Sequence, residues 1–154
     1  ARAMDNLPSS SYQRVIALDA AYHFQTRALF MAQASRILTP NGKLGLIDII
    51  PTQRALTLPS RILTHQIARL MHIPRSNLQT LEDYEVMLRD VGFDDLEVED
   101  ISKSIFPGFT NYIRSHPDRT TRAWRKMRLT ASWLDKLYRW GALRAIQVVA
   151  TKPG

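Results

Sequence analysis

Short apolar runs alternate with amphipathic segments over the first third of the chain, a pattern typical of an α/β protein. Residues 15–18 and 43–50 are nearly continuous apolar runs, which indicates two strands buried on both faces of a parallel sheet. Between them, residues 26–38 carry apolar side chains at helical spacing, and the Pro-Asn-Gly sequence at 40–42 predicts a turn. Strand, helix and strand in this order favour a right-handed parallel crossover.

The middle of the chain predicts two helices and a third strand. Residues 60–71 have helical spacing, and a second helix is capped by Thr80 and ends just before Gly92. Residues 96–101 alternate apolar with acidic side chains, which is typical of a strand nearer the edge of a sheet. We therefore expect the sheet to gain one strand here.

The last third predicts a helical excursion between two strands. The Phe-Pro-Gly sequence at 106–108 predicts a break, followed by a short helix at 109–115 and a long helix at 119–139. Residues 144–151 are predicted to form the closing strand. Because helices separate the last two strands, these strands can pair antiparallel, and we expect an open α/β sheet.

Four polar side chains follow the first two predicted strands. Asp19 ends the first strand, Tyr22 and His23 follow in its loop, and Asp48 ends the second strand. Ligands of open α/β sheets bind beyond the carboxyl ends of the strands, so we expect these groups to meet at one edge. A histidine can remove a proton from a hydroxyl or an ammonium, and a nearby carboxylate can orient the imidazole. The alternative is structural: His23 caps the next helix or fills the core, and Asp48 anchors a loop.

Composition narrows the classes of protein that fit. A chain of 154 residues is one domain at most, or part of one. It has no cysteine, which excludes disulfides and thiolate zinc sites and fits a cytoplasmic protein. We expect no membrane segment, because no apolar run is long enough to span a bilayer.

The net charge of +7 is concentrated at 110–144, where nine Lys/Arg accompany two Asp. We expect no nucleic-acid partner, because no aromatic platform or known nucleic-acid motif accompanies these charges.

Several short motifs occur in a fixed order along the chain. They are Ala1-Arg2-Ala3-Met4-Asp5, Leu7-Pro8, Tyr12-Gln13-Arg14-Val15, Ala17-Leu18 with His23, Arg36-Ile37-Leu38-Thr39-Pro40-Asn41-Gly42, Ile47-Asp48, Leu88-Arg89-Asp90-Val91-Gly92-Phe93 and Val148-Val149-Ala150-Thr151-Lys152-Pro153. The ordered set resembles the second half of class I S-adenosylmethionine-dependent methyltransferases, especially the small-molecule branch often called methyltransferase type 11.

The resemblance implies a Rossmann-like open sheet, mostly parallel with an antiparallel last strand, to which this chain supplies about four of seven strands. Residues 1–154 are then the carboxyl-terminal part of a single methyltransferase domain, with helical cap segments at about 56–74 and 105–140. The family's glycine-rich loop has no GxGxG counterpart here, so we expect this chain alone to bind cofactor poorly. An unpaired strand edge would then invite self-association or pairing with another chain.

The resemblance also implies S-adenosylmethionine as the cofactor and a small molecule as the acceptor. His23 stands where several sugar and natural-product O-methyltransferases carry a general base, and some members carry that base one position earlier, at Tyr22. Asp48 matches an aspartate that in some members assists the base, and no metal is required. Four residues are implied on the cofactor side: Ala3, Met4, Leu18 and Asp19.

The leading hypothesis is S-adenosylmethionine-dependent methyl transfer to a small-molecule acceptor, with a hydroxyl favoured because His23 is available as a base. Aromatic residues of the helical excursion could build the acceptor pocket or, alternatively, form the core of a two-helix layer on the sheet. They are Phe106, Phe109, Tyr112, Trp124, Trp133 and Trp140. One alternative is an inactive fragment or a partner subunit that lacks the cofactor loop. Another is an RNA-binding or RNA-modifying module that uses the basic helix at 114–128.

Overall fold

The computed structural model describes residues 4–57, 60–117 and 120–154. In these ranges four strands form one sheet: β1 Tyr12–Leu18, β2 Leu38–Pro51, β3 Asp94–Asp100 and β4 Leu143–Thr151. The helices are α1 Arg27–Ile37, α2 Gln53–Leu56, α3 Ser60–Leu70, α4 Leu81–Asp90, α5 Ser102–Ser115 and α6 Arg122–Arg139. Short 3₁₀ turns lie at Ala21–His23 and Arg75–Asn77. In the part of the chain just defined, no helix is long and apolar enough to cross a membrane.

The strands lie in the order β1-β2-β4-β3. β1 and β2 are parallel, with Leu18 at the end of β1 paired with Ile47 of β2. β4 runs antiparallel to both of its neighbours, β2 and β3. The predicted sheet, mostly parallel with an antiparallel last strand, is therefore confirmed.

Alternate residues of β2 face opposite sides of the sheet. Leu46 and Ile50 belong to a core cluster that also contains buried residues of α1 and α4. Ile49 packs instead into a second cluster, with Phe106 of α5 and Leu134 of α6. Helices α1 and α4 therefore cover one face of the sheet, and α5 and α6 cover the other.

β1 lies at the edge of the described sheet, and one of its faces is open. Val15 and Ala17 pack into the cluster formed with α1 and α4. Ile16 and Leu18 point to the opposite face, where their side chains are 66% and 62% exposed. Helices α5 and α6 pack on β4 on this side of the sheet, so the two apolar side chains of β1 stay uncovered.

The predicted turn at 40–42 lies inside β2 rather than before it. β2 begins at Leu38, directly after α1, and its pairing with β1 is irregular between Tyr12 and Arg14. Asn41 takes a positive φ of 60° in this irregularity, and a Cβ on Gly42 would lie 2.8 Å from the carbonyl oxygen of Thr39. The Pro-Asn-Gly sequence thus makes a local kink that the strand absorbs.

The predicted break at 106–108 is wrong, because α5 continues through Pro107. A proline inside a helix removes one backbone hydrogen bond. Packing compensates for that loss here, since Phe106 is buried and its ring stacks on Tyr138 of α6 with centroids 5.1 Å apart. The side chain of Ile113 is also buried, which holds the second half of the helix in place.

The predicted ends of α4 are confirmed. Thr80 and Asp83 form a reciprocal capping box at its start, where the Asp83 carboxylate accepts from the Thr80 backbone at 3.1 Å. Gly92 follows the helix with a φ of 90°, a conformation that glycine adopts without a steric penalty. This helix buries Tyr84, which becomes important at the site.

Candidate active site

A cleft of about 840 Å³ opens at the carboxyl ends of β1 and β2. Leu18, Asp19, Tyr22 and His23 line it from the end of β1 and the loop that follows. Its other walls come from β2, the segment after α3, and the facing sides of α5 and α6: Ile47, Ile49, Met71, His72, Ser104, Ile105, Phe106, Gly108, Phe109, Lys126, Met127, Thr130, Leu134 and Ala145 of β4. The loop residues predicted at this edge thus lie in one cleft.

His23 lies in this cleft with an exposed side chain at the end of a 3₁₀ turn. Its ring packs against that of Tyr22, with centroids 4.3 Å apart. Its Nδ1 atom is 3.5 Å from the backbone oxygen of His72, a long contact that fixes the ring only weakly. The imidazole is therefore oriented by its neighbours while it stays open to the cleft.

Tyr22 and Asp19 are joined beside His23. The Tyr22 hydroxyl donates to Asp19 Oδ1 at 2.9 Å. Burial raises the pKa of the Tyr22 phenol well above its usual value, and the negative charge of Asp19 raises it further. The phenol is therefore a hydrogen-bond donor to Asp19 at neutral pH.

Asp48 does not lie at the edge of the sheet, which corrects the sequence prediction. β2 continues to Pro51, so Asp48 lies within the strand. It is two residues from both Leu46 and Ile50 along the strand, so its side chain points to the same face as theirs. That face is the one that α1 and α4 cover, away from the cleft. Its side chain has no exposed surface and contacts Arg27 and Tyr84 instead of His23.

Arg27, in the first turn of α1, forms a buried ion pair with Asp48 of β2. Arg27 Nε is 2.8 Å from Asp48 Oδ2, although its N–H is not aligned for a hydrogen bond. The Tyr84 hydroxyl donates to the same carboxylate oxygen at 3.2 Å, and the Tyr84 ring lies 5.0 Å from the guanidinium carbon. Burial raises the pKa of Asp48 although the Arg27 charge lowers it, and burial also raises the pKa of Tyr84.

Asn77 connects this ion pair to the loop that carries His23. Its Nδ2 atom donates to the backbone oxygens of Tyr22 at 3.0 Å and Phe24 at 2.8 Å. Its Oδ1 atom accepts from the Arg27 backbone at 3.0 Å, and its own carbonyl accepts from Arg27 Nη1 at 2.8 Å. The sequence prediction missed both Arg27 and Asn77. The available signal was an aspartate inside an apolar strand, because a buried carboxylate requires a buried partner.

The four residues predicted on the cofactor side do not share one location. Leu18 and Asp19 line the cleft. The Met4 side chain packs against the core, and its backbone oxygen accepts from Arg36 Nη2 at 2.8 Å. Ala3 lies outside the described residues. Among the described residues of the predicted set, Leu18 and Asp19 therefore face the cleft, and Met4 does not.

Fewer aromatic residues of the helical excursion line the cleft than the sequence predicted. Phe106 and Phe109 line the cleft, whereas the other four aromatic residues of that set do not. In their place, Ile105, Met127 and Leu134 supply apolar surface from α5 and α6. The cleft wall is thus largely aliphatic on this side.

The basic residues expected on one helix at 114–128 face different parts of the molecule. Lys126 lines the cleft, whereas Arg114, Arg125 and Arg128 line a separate groove between α5 and α6. Arg119 lies outside the described residues. His72 follows the end of α3 with a φ of 55° and lines the cleft, whereas His65 lies within α3 and does not. Among the described residues, no three His, Cys, Asp or Glu are placed to hold a metal ion.

Two curated relatives are methyltransferases. The chain is 29% identical over 108 residues to erythromycin 3''-O-methyltransferase of Saccharopolyspora erythraea, a match over 68% of this chain and 35% of the relative. It is 27% identical over 107 residues to 27-O-demethylrifamycin SV methyltransferase of Amycolatopsis mediterranei, over 67% of this chain and 37% of the relative. The matched part thus spans about a third of these relatives. No family model matches the chain.

Solved structures with a similar fold are also methyltransferases. Phosphoethanolamine N-methyltransferase 2 of Haemonchus contortus superposes with a TM-score of 0.79 at 18% identity, over 97% of this chain and 35% of that structure. Geranyl diphosphate C-methyltransferase of Streptomyces coelicolor gives 0.73 at 15% identity, over 97% and 51%. The chain has the class I methyltransferase fold. The cleft with His23 lies at the carboxyl ends of β1 and β2 of this fold.

Proposed function

We propose that this chain carries the acceptor side of an S-adenosylmethionine-dependent methyltransferase, which methylates a hydroxyl of a small molecule with His23 as the general base. The observation that carries the proposal is the exposed imidazole of His23 inside the cleft at the end of β1. One relative is named for transfer to an oxygen, erythromycin 3''-O-methyltransferase, which supports an oxygen acceptor. The aliphatic and aromatic cleft wall fits an acceptor that is largely apolar.

The described residues fit one edge of the cofactor. Leu18 offers exposed apolar surface at the end of β1, and Asp19 next to it takes a positive φ of 52° that turns the chain into the cleft. These two residues would hold the part of S-adenosylmethionine nearest the acceptor. When bound, S-adenosylmethionine supplies an electrophilic methyl group on a sulfonium.

His23 and its neighbours divide the proton chemistry between them. The His23 imidazole accepts the proton of the acceptor hydroxyl as that oxygen becomes nucleophilic. Tyr22 keeps its own proton, because its hydroxyl is committed to Asp19 and its pKa is raised by burial. Tyr22 therefore contributes a ring surface against which His23 packs.

Asp48 acts in this proposal as a positioning residue. It pairs with Arg27, Arg27 donates to the backbone oxygen of Asn77, and the Asn77 side chain holds the backbone from Tyr22 to Phe24. The carboxylate thus fixes the loop that presents His23 without touching the imidazole. A misplacement of the base by about 1 Å can cost about 100-fold in rate, so such support has catalytic consequences.

The test is methyl transfer by the protein that carries this chain, with labelled S-adenosylmethionine and a panel of hydroxylated macrolides and glycosides. His23→Ala should lower kcat by about 100-fold or more, with a much smaller change in cofactor affinity. His65→Ala is the matched control, because His65 does not line the cleft, and it should retain parent activity. Unchanged kcat in the His23→Ala protein would remove the general base from the proposal.

A second candidate function is that of a partner subunit. The observation that favours it is the open face of β1, where Ile16 and Leu18 are largely exposed. Another chain that covers this face would bury both side chains and could pair with the edge of β1. Co-purification of a stoichiometric second chain, lost when Ile16 is replaced by lysine, would support this function.

A further inference from the structure

A second, smaller cavity lies behind the cleft. It has a volume of about 40 Å³ and lies between the end of β2, the start of β4 and helices α2, α3 and α6. Its inner wall is formed by small and branched aliphatic side chains: Ala55, Ile67, Ala68, Leu137, Ala142 and Leu143. The cavity is therefore an apolar void at the base of the helical layer.

The cavity and the cleft share one wall. Tyr22, Ile49, Met71 and Leu134 line both of them. Met71 is the most adaptable of these four side chains, since it is unbranched and has several rotatable bonds. A group in the cleft can therefore reach the cavity when the Met71 side chain changes rotamer.

The polar side chains around the cavity are already hydrogen-bonded to other groups. Thr64 Oγ1 donates to the backbone oxygen of Ala55 at 2.8 Å, and Tyr22 donates to Asp19. Both donors of the Asn77 amide group are used by the backbone oxygens of Tyr22 and Phe24. A buried water needs two to four polar partners, so an apolar cavity with such side chains stays dry.

We propose that this cavity is an alkyl subsite of the acceptor cleft, which binds a short aliphatic branch of the acceptor. The proposal rests on the proposed function for the identity of the ligand, but the cavity itself is a property of the chain. An engineered apolar cavity of about 150 Å³ holds the six carbons of benzene, so 40 Å³ suits a branch of about one or two carbons. The acceptor class is thus a hydroxylated small molecule with a methyl or ethyl branch near the hydroxyl.

The probe for the test is a series of straight-chain alcohols from methanol to 1-pentanol. Binding to the chain is followed by NMR shifts of the methyl groups of Met71 and Ile67. Affinity should rise by up to about fourfold for each added carbon, the gain expected from burying one methylene, and level off after about two carbons. Xenon, which enters dry apolar cavities, should shift the same methyl groups.

Three variants separate this subsite from nonspecific binding. Ala68→Leu fills the cavity and should abolish both the dependence on chain length and the xenon shifts. Ile67→Ala enlarges it and should extend the dependence by one or two carbons, which keeps the test decisive if Ala68→Leu fails to fold. Ala28→Leu, at an exposed position of α1, is the matched control and should behave as the parent chain.

The outcomes for the subsite and for the methyltransferase proposal are distinguishable. A length-dependent affinity that Ala68→Leu removes supports the subsite even if no methyl transfer is detected. Affinity that does not depend on chain length, or that Ala68→Leu leaves unchanged, overturns the subsite. Loss of methyl transfer in the His23→Ala protein would support the proposed function in either case.

Discussion

Arg27 Nε lies 2.8 Å from Asp48 Oδ2, and neither side chain has any exposed surface. The pair joins the start of α1 to the middle of β2, directly beneath the loop that carries His23. Removal of two charges from water costs several kcal/mol per ion, which only the partner charge and further hydrogen bonds can offset. Each charge of the pair is therefore needed to compensate the other, because both are buried.

Asp48→Asn should lower the free energy of unfolding by about 3–5 kcal/mol, because it leaves the buried Arg27 charge uncompensated. Urea denaturation followed by circular dichroism measures this loss. Arg144→Gln is the matched control: Arg144 also pairs with an aspartate, Asp100 at 3.6 Å, but the two side chains are 52% and 48% exposed. That change should cost at most about 1 kcal/mol.

The double replacement Arg27→Met with Asp48→Leu removes both charges together. We expect it to recover a large part of the loss, because an apolar pair of similar volume avoids the desolvation of two ions. If the double variant were as unstable as Asp48→Asn alone, the ion pair would not be the reason for the destabilisation.

Asn77→Ala tests the link between the ion pair and the loop. The variant leaves the buried backbone oxygens of Tyr22 and Phe24 without a donor, which should cost about 1–3 kcal/mol for each group left unpaired. Amide exchange should accelerate in residues 21–27 and stay at parent rates in β4. Asn111→Ala, at an exposed position of α5, is the control. Equal exchange in the loop of both variants would contradict the role of Asn77.

The sequence predicted most of the sheet, because buried strands have a simple signature. Apolar runs identified β1 and β2, the alternation of apolar with acidic residues identified β3, and residues 144–151 were predicted as the closing strand β4. The antiparallel direction of the last strand followed from the resemblance, whereas the strand order was not predicted. The break expected at Pro107 was wrong for a physical reason: a local propensity was outweighed by the packing of Phe106 against α6, which only the tertiary structure contains.

The candidate site was predicted in part. His23, Tyr22 and Asp19 were found because they directly follow a strand, and local sequence determines that position. Asp48 was misplaced because it was taken as the end of a strand that continues to Pro51, although Leu46 and Ile50 already indicated which face it shares. Asn77 could not have been found from its own neighbours, since its partners are about 50 positions away along the chain.

Stability should fall at alkaline pH because of Tyr22 and Tyr84. Burial raises the pKa of both phenols in the folded chain, whereas an unfolded tyrosine titrates near 10.0. Above about pH 10 the folded state therefore keeps protons that the unfolded state releases. Stability contributed by each phenol is complete below pH 10 and is lost as pH rises, with a slope of up to about 1.4 kcal/mol per pH unit.

Tyr22→Phe isolates one of these two contributions. Its free energy of unfolding, measured in urea from pH 8 to 11, should fall less steeply than that of the parent chain, by up to the slope of one proton. Tyr112→Phe removes an exposed phenol from α5 and serves as the control. A parallel pH dependence in the parent and the Tyr22→Phe chain would show that Tyr22 does not retain its proton on folding.

The open face of β1 should make the chain self-associate. Ile16 is 66% exposed beside the edge of the sheet, and an exposed apolar strand at an edge is prone to pair with another chain. Ile16→Lys should raise the dissociation constant at least about tenfold, because burial of an isoleucine contributes about 1.5–3 kcal/mol. Sedimentation velocity over a range of protein concentrations measures it.

Ile62→Lys is the matched control for this face, since Ile62 is 65% exposed but lies on α3. It adds the same charge to a similarly exposed isoleucine away from the sheet, so it should leave the association of the parent chain unchanged. Equal weakening by both lysines would attribute the effect to net charge rather than to β1. A parent chain that stays monomeric at all concentrations would show that the backbone edge and two apolar side chains do not suffice for pairing.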